Sequence, residues 1–231
     1  MRQQYIHPQR PVVIDRNNTG TIGYFGDSFC ADSINQGSYC NLLANRLGVG
    51  TVTHWGVGGT SIWYMFDRFM ELHDKNQLPD NIVIVYTDPD RLYHPDVLLP
   101  AWALDEKSEN DLEKACDLYM KHLDFPKINH FKYKASIEWF DQNIISKLVD
   151  KHNVVQLFSF QTYGVEIKNT PVLDYTLMPL YGENMANNVA SEDLFNHLTK
   201  EQNEKVAEDL EILITKGSLV QRSQRPFYDG I

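Results

Sequence analysis

One short segment constrains the fold more than any other: residues 81–86 read Asn-Ile-Val-Ile-Val-Tyr, with no polar residue between Asn81 and Tyr86. A strand with one wet face alternates apolar and polar residues, whereas a continuous β-branched run is typical of a parallel strand that is covered on both faces. The segment therefore predicts a sheet with helices on both sides.

The rest of the chain supplies the other elements of such a fold. Further strands are predicted over residues 21–25, 51–55 and 153–158. Apolar residues at helical spacing predict helices over residues 38–47, 61–73, 112–123 and 134–149, and a last helix from near Thr199. Alternating strands and helices predict an α/β fold with a mostly parallel sheet.

The domain organisation follows from length and composition. With 231 residues, of which 42% are hydrophobic, the chain is long enough for one sizeable core. Residues 1–18 are predicted to be an irregular lead-in, residues 19–217 one domain and residues 218–231 a tail. Residues 88–108 are rich in proline and charge, and residues 161–195 are predicted to be a long loop.

Charge and cysteine usage exclude some function classes. The net charge is −10 and the pI is near 5.2, which opposes binding to the phosphates of nucleic acid. No apolar run approaches the roughly 18 residues of a membrane span, and residues 1–10 contain no signal-peptide core. The three scattered cysteines predict reduced thiols in a cytoplasmic compartment.

Metal and cofactor chemistry is not indicated. The eight histidines are dispersed, and none forms a His-x-His or His-Glu-x-x-His pattern. The spacing of the glycines does not match a phosphate-binding P-loop either. We therefore expect neither a metal nor a cofactor.

The first predicted strand ends in Gly26-Asp27-Ser28-Phe29. The site of a parallel α/β sheet lies at the carboxyl ends of its strands, and a serine there is accessible to substrate and to the N–H groups of a following helix. An ordinary turn or helix-capping serine would give the same tetrapeptide. Ser28 is therefore a candidate nucleophile only in combination with other groups.

Two further segments supply those groups. The second strand ends in Gly56-Val-Gly-Gly59-Thr-Ser61, where glycines allow a backbone N–H to approach an oxyanion. Asp193-Leu-Phe-Asn-His197 precedes the last helix, and a histidine there can act as the base for a distant serine. Alone, the glycines are also consistent with a tight turn, and the Asp-His pair with a surface contact.

Taken together, the three segments resemble the sequence blocks of the SGNH, or GDSL, hydrolases. Residues 26–29 resemble the first block, residues 56–61 the second and residues 193–197 the last, and their order covers roughly residues 20–215. The resemblance implies a flavodoxin-like three-layer α/β/α sandwich that hydrolyses esters. It also implies acyl or acetyl groups on lipids, carbohydrates or small molecules as substrates.

The resemblance also implies roles for individual residues. Ser28 would be the nucleophile and His197 its base, with Asp193 holding the imidazole. The backbone N–H groups of Ser28 and Gly59 would form the oxyanion hole. Phe29, Trp55 and Arg91 are the candidates for substrate binding.

Two positions depart from the family pattern. The third block normally places an asparagine in the oxyanion hole, and Asp88 stands there; its negative charge would repel an oxyanion, and Thr87 and Arg91 are the nearby replacements. The spacing Asp193-x-x-x-His197 is one residue longer than usual, so Glu192 or a backbone carbonyl is an alternative partner for the histidine. The altered third block loosely resembles phage-encoded members, which would make the protein virion-associated if it is not cytoplasmic.

The sequence thus predicts a serine esterase for a small acyl ester, with a carbohydrate O-acetyl group as the first candidate substrate. The alternative is a catalytically weak or inactive relative that binds glycan or serves as a structural protein of a particle. A nucleotide-binding flavodoxin-like protein is a third class, but it would lack a phosphate loop and would leave His197 without a role.

Overall fold

The protein is described by a computed structural model, which covers residues 12–15, 18–31, 37–93 and 111–216. Its strands are β1 (Val12–Asp15), β2 (Thr21–Ala31), β3 (Thr51–Gly56), β4 (Asn81–Tyr86), β5 (Asn153–Phe158) and β6 (Val172–Thr176). Its helices are α1 (Tyr39–Arg46), α2 (Ile62–Asp74), α3 (Asp111–His122), α4 (Pro126–Asn143), α5 (Met178–Ala186) and α6 (Lys200–Lys216).

The six strands form one sheet in the order β1-β3-β2-β4-β5-β6. The strands from β2 onward pair in parallel, and β1 is an antiparallel edge strand on β3. Counted along the chain without β1, the parallel strands have the order 2-1-3-4-5, which is the flavodoxin-like order. The predicted fold class is confirmed.

The two faces of β4 explain why its sequence is apolar throughout. Val83 and Val85 belong to a core cluster with α1 and α6, whereas Ile82, Ile84 and Tyr86 belong to a second cluster with α2 and α4. All six residues of β4 are buried. The sheet is therefore the middle layer of three, and the hydrophobic effect acts on both of its faces.

The start of the last helix follows the predicted capping box. The Thr199 N–H donates to the Gln202 side chain at 2.9 Å, and the Gln202 N–H donates to the Thr199 hydroxyl at 3.3 Å. This reciprocal pair satisfies N–H groups that would otherwise have no partner at a helix start. The helix then runs from Lys200 to Lys216.

Three predictions of secondary structure were wrong. β1 lies within the predicted irregular lead-in, where Val12, Val13 and Ile14 pair with β3, so that β1 forms the edge of the sheet. α4 runs over Pro126–Asn143 instead of residues 134–149, and its early start is possible because proline is well tolerated in the first turn of a helix. The predicted loop over residues 161–195 contains β6 and α5.

Some predictions lie outside the described residues. They concern residues 1–11, residues 94–108 of the proline-rich segment, Gly217 as the stop of the last helix, and the tail over residues 218–231.

Candidate active site

The candidate site lies where β2 and β4, which are not consecutive in the chain, are neighbours in the sheet. From β2 the chain continues to β3 on one side of the sheet, and from β4 it continues to β5 on the other side. The boundary between β2 and β4 is therefore the topological switch point of a doubly wound sheet. Ligands of such sheets bind in the crevice at the carboxyl ends of the strands. Ser28 lies at this end of β2, and Asp88 follows β4.

Ser28 is half-buried and lies beside the glycine loop that follows β3. A Cβ atom added to Gly58 would be 3.6 Å from the Ser28 Cβ. Gly59 has a φ of 77°, a left-handed conformation that glycine adopts without strain. The described helix that comes next, α1, begins at Tyr39.

Hydrogen bonds to β2 and within the loop fix the glycine loop. The Val57 N–H donates to the Gly26 carbonyl of β2 at 3.1 Å, and the Thr60 N–H donates to the Val57 carbonyl at 3.3 Å. The Thr60 hydroxyl lies 2.8 Å from the Val57 carbonyl and 3.3 Å from the Gly26 carbonyl, and it can donate its proton to either. The N–H groups of Gly58 and Gly59 make no hydrogen bond with any described residue. The loop is therefore held in place while two of its N–H groups have no partner among the described residues, and one of them belongs to Gly58, which lies against Ser28.

Asp27 is fully buried beneath the serine. Its Oδ1 accepts the Phe29 N–H and the Ser159 hydroxyl, both at 3.0 Å. Its Oδ2 lies 3.6 Å from the guanidinium of Arg91 and has no hydrogen-bond partner. Asp27 thus fixes the part of β2 around Ser28, where the pairing with β3 is irregular, and joins it to the end of β5.

Arg91 connects three strand ends. Its Nη1 donates to the Thr60 carbonyl at 3.2 Å and faces Asp27, and its guanidinium carbon lies 4.9 Å from the centre of the Phe160 ring. The side chain is 12% exposed. A cation is therefore held between Asp27 of β2, the glycine loop and the end of β5.

Asp88 is partly buried at the end of β4. Its Oδ1 accepts the Asp90 N–H at 2.8 Å, which closes a local turn. Burial raises the pKa of the Asp88 carboxyl above its ordinary 3.8, and the hydrogen bond from Asp90 acts against this shift. Thr87, the neighbouring candidate, is buried, and its hydroxyl has no hydrogen-bond partner.

His197 occupies a tight turn. The N–H groups of Phe195 and Leu198 each donate to the carbonyl of the other, at 2.8 and 3.0 Å, and the two residues between them, Asn196 and His197, have φ values of 49° and 72°. Two central residues with positive φ are characteristic of a type I′ turn. The Asn196 amide donates to the Ala31 carbonyl at 3.3 Å, which ties the turn to the end of β2.

The imidazole of His197 packs against Phe29, the residue that follows Ser28, and against Tyr181 of α5. Its ring lies 5.0 Å from the Phe29 ring and 4.8 Å from the Tyr181 ring, centre to centre. Burial lowers the pKa of His197 below its ordinary 6.5, Asp27 acts to raise it, and Arg91 acts to lower it. At neutral pH the imidazole is therefore uncharged and able to accept a proton.

The structure does not join every predicted catalytic group. No hydrogen bond links Ser28 to His197, and none links His197 to Asp193, whose side chain is exposed. The tight turn at Asn196 and His197 places the histidine near the end of β2. Glu192, the alternative acid, is also exposed and makes its own hydrogen bond with Ser191 at 3.4 Å.

Comparison with known proteins gives similar structures but no sequence match. No family model matches the chain, and no curated protein matches it. The chain is similar to an acetyl xylan esterase (19% identity, TM-score 0.44, 82% of this chain and 97% of the other). It is also similar to a variant of an acetyl-xylooligosaccharide esterase from Geobacillus, with 13% identity and a TM-score of 0.45 over 87% of this chain and 96% of the other. A G-D-S-L family lipolytic protein from Desulfitobacterium hafniense is similar with 15% identity and a TM-score of 0.44 over 84% of this chain and 99% of the other.

The two aromatic residues that were predicted to bind substrate lie in the hydrophobic core. Phe29 and Trp55 are 2% and 7% exposed and belong to the two core clusters on opposite faces of the sheet. Phe29 nevertheless packs on the candidate base. Of the predicted substrate-binding residues, Arg91 is the one that faces Asp27, the residue before Ser28.

Two residues of the site were missed by sequence reasoning. Ser159 follows β5 directly, so the rule that directed attention to Ser28 and Asp88, a polar residue after a buried strand, would also have indicated it. Tyr181 lies on α5, in the segment predicted to be a loop, and no signal in the sequence indicated its contact with His197.

Among the described residues no group of three or more histidine, cysteine or acidic side chains could hold a metal ion. In the same part of the chain, none of the helices combines the length and apolar character needed to cross a membrane.

Proposed function

We propose that the protein is a serine esterase that hydrolyses a small acyl ester through an acyl-enzyme on Ser28. The observation that carries this proposal is the common position of three groups at one edge of the sheet. Ser28 lies beside a glycine loop with free N–H groups, and a neutral histidine packs against the residue that follows the serine. These are the groups that acyl transfer requires: a nucleophile, an oxyanion site and a base.

The reaction has two halves. His197 accepts the hydroxyl proton of Ser28 while Oγ bonds to the ester carbonyl carbon, whose π electrons move onto the oxygen. The oxyanion then re-forms the carbonyl, the C–O bond to the alcohol breaks, and His197 returns the proton to the departing alcohol. Water, activated by the same imidazole, then releases the acid and regenerates Ser28.

For the first half to begin, the imidazole must form a hydrogen bond to Ser28. Catalytic hydrogen bonds are often long or poorly aligned before substrate binds and tighten in the complex. The ring of His197 makes only aromatic contacts, to Phe29 and Tyr181, so a change of its side-chain angles breaks no hydrogen bond with a described residue. We infer that substrate binding brings the two groups together.

Carbohydrate O-acetyl groups are the proposed substrates, as the sequence resemblance implies. An acetyl group requires little space, which agrees with Gly58 lying directly against Ser28 and with the burial of Phe29 and Trp55. A larger acyl chain would need an apolar channel beside the serine.

The test is hydrolysis of p-nitrophenyl acetate, butyrate and octanoate by the wild type and by Ser28→Ala. We expect Ser28→Ala to lose the activity, acetate to be the best substrate, and a fluorophosphonate to add one label to the wild type only. Ser146→Ala is the matched control, because Ser146 is a helix-surface serine whose hydroxyl bonds to the Gln142 carbonyl. Equal hydrolysis by the wild type and Ser28→Ala would exclude the proposal.

The second candidate function is a glycan-binding module without catalysis. The missing hydrogen bonds between Ser28, His197 and Asp193 favour it. It predicts no fluorophosphonate label on the wild type, together with measurable binding of acetylated oligosaccharides that Ser28→Ala leaves unchanged.

A further inference from the structure

We propose that the guanidinium of Arg91 donates a hydrogen bond to the oxyanion formed on Ser28, and that Asp27 is the positioning residue that holds it there. The inference rests on the proposed esterase function and assigns a catalytic residue within that site. Arg91 would thus supply charge stabilisation that the two backbone N–H groups of the glycine loop cannot give.

The position of Arg91 is fixed from both sides of the nucleophile. Its Nη1 donates to the carbonyl of Thr60, the residue after Gly59, at 3.2 Å. The same nitrogen lies 3.6 Å from the carboxylate of Asp27, the residue before Ser28. Arg91 is thus held by the residue before Ser28 and by the residue after Gly59, and the N–H groups of Ser28 and Gly59 are those proposed for the oxyanion hole.

Arg91 also has donors to spare. Nη1 uses one hydrogen bond, whereas Nη2 and Nε make none with any described residue. A guanidinium has five N–H donors, and leaving them unpaired in a partly buried site costs free energy. The side chain is 12% exposed, so it is not sealed off from solvent. An anionic oxygen is the ligand that these donors fit.

The surrounding charges require a cation at this point. Asp27 is buried next to Ser28, and Asp88 lies at the neighbouring strand end. Without Arg91, two carboxylates would face a developing negative charge, and each would oppose its formation. Asp88 itself is unsuited to donate, because its Oδ1 already accepts the Asp90 N–H and an ionised carboxylate has no proton to give.

Asp27 explains why the cation does not turn toward solvent. Its Oδ1 is occupied by Phe29 and Ser159, and Oδ2 has the Arg91 guanidinium as its only partner among the described residues. Phe160 covers the guanidinium face at 4.9 Å. Preorganised donors of this kind stabilise a transition state because they need no reorientation during the reaction.

The test compares kcat and KM of the wild type, Arg91→Ala and Arg91→Lys with p-nitrophenyl acetate, a neutral ester. Removing one oxyanion donor typically lowers kcat by about 100- to 1,000-fold. We expect this loss in Arg91→Ala with KM changed by less than about threefold, since an interaction made only in the transition state leaves substrate binding intact. Added guanidinium ion at millimolar concentration should restore part of kcat in Arg91→Ala but not in Ser28→Ala.

Arg68→Ala is the matched control, because Arg68 is an arginine of α2 that pairs with Asp67 and Glu71. It should keep the wild-type kcat. If Arg91→Ala does not fold, Arg91→Lys and Arg91→Gln provide the same comparison with a polar side chain retained. Asp27→Asn should lower kcat as well, and guanidinium ion should not restore it, because the positioning contact is lost while Arg91 remains.

Three results would overturn the proposal. The first is an Arg91→Ala kcat within about threefold of an active wild type. The second is a loss confined to KM for an ester that carries a carboxylate, with kcat on p-nitrophenyl acetate unchanged; Arg91 would then bind an anionic part of the substrate. The third is a wild type that neither hydrolyses esters nor takes the fluorophosphonate label, which removes the proposed function itself and is distinguishable from the first two.

Discussion

Asp27 and Ser159 are 132 positions apart in the chain, and the hydroxyl of Ser159 donates to the carboxylate of Asp27 at 3.0 Å in a fully buried contact. The bond joins the end of β5 to the part of β2 that carries Ser28. It crosses the end of β4, which lies between these two strands in the sheet. It fixes one oxygen of Asp27, so that the other faces Arg91.

Replacing Ser159 by alanine should therefore destabilise the protein. A hydrogen bond to a charged group contributes about 1.5–3 kcal/mol, and its loss leaves a buried carboxylate with one partner fewer. We expect the free energy of unfolding to fall by about 2 kcal/mol in urea denaturation. Ser146→Ala, which removes a half-exposed hydroxyl, should change it by less than about 0.5 kcal/mol.

Replacing His197 should affect catalysis far more than replacing Asp193. His197→Ala removes the proposed base, and loss of such a base lowers kcat by about a thousandfold or more. Asp193→Ala should change kcat by less than about tenfold, because the exposed Asp193 carboxylate makes no hydrogen bond with the imidazole. A comparable loss in both variants would show that Asp193 approaches His197 when substrate is bound.

The activity should persist below the pH at which an ordinary histidine becomes charged. Burial lowers the pKa of His197 below 6.5, so the neutral base form remains populated at slightly acidic pH. The acid limb of kcat/KM should have its midpoint below 6.5. The free energy of unfolding should also fall as the pH is lowered. The contribution of neutral His197 is fully present above pH 6.5 and is lost as the pH falls through the lowered pKa of His197 in the folded protein. A midpoint above 6.5 would contradict this assignment.

Asp88→Asn should increase activity at neutral pH. The change removes a negative charge beside the proposed oxyanion and keeps an oxygen that can accept the Asp90 N–H. We expect kcat/KM to rise about tenfold, which corresponds to about 1.4 kcal/mol of transition-state stabilisation. The rise should diminish at low pH, where Asp88, whose pKa is raised by burial, becomes neutral in the wild type as well. Asp193→Asn is the exposed control, and an equal rise there would point to net charge as the cause.

Gly59→Ala should lower both activity and stability, whereas Gly182→Ala should lower neither. Gly59 has a φ of 77°, where a Cβ atom costs about 1–2 kcal/mol, and any shift of the loop displaces the N–H that we propose for the oxyanion hole. Gly182 lies within α5 with no heavy atom near its Cβ position, so alanine there should stabilise the helix by about 0.5–1 kcal/mol. Thermal unfolding and ester hydrolysis of the two variants would check both expectations.

The sequence predicted best those elements whose signal is local. The continuous apolar run of β4 indicated a sheet with both faces covered, and Thr199 and Gln202 indicated where the last helix begins. The apolar run consists of adjacent residues, and the capping box lies within one helix start. Neither signal therefore depends on the rest of the chain. β1 and β6 were missed, because a short edge strand forms only where a neighbouring strand offers hydrogen bonds.

The candidate site divides in the same way. The sequence by itself indicated that Ser28, Gly59 and Asp88 lie near the carboxyl ends of buried strands, and parallel strands bring those ends to one edge of the sheet. Only the tertiary structure decided that Arg91 faces Asp27, that Ser159 completes the buried contact, and that a tight turn places His197 against Phe29. These contacts depend on the packing of loops that are distant in the chain, and side-chain direction in a loop is not encoded by any period of the sequence.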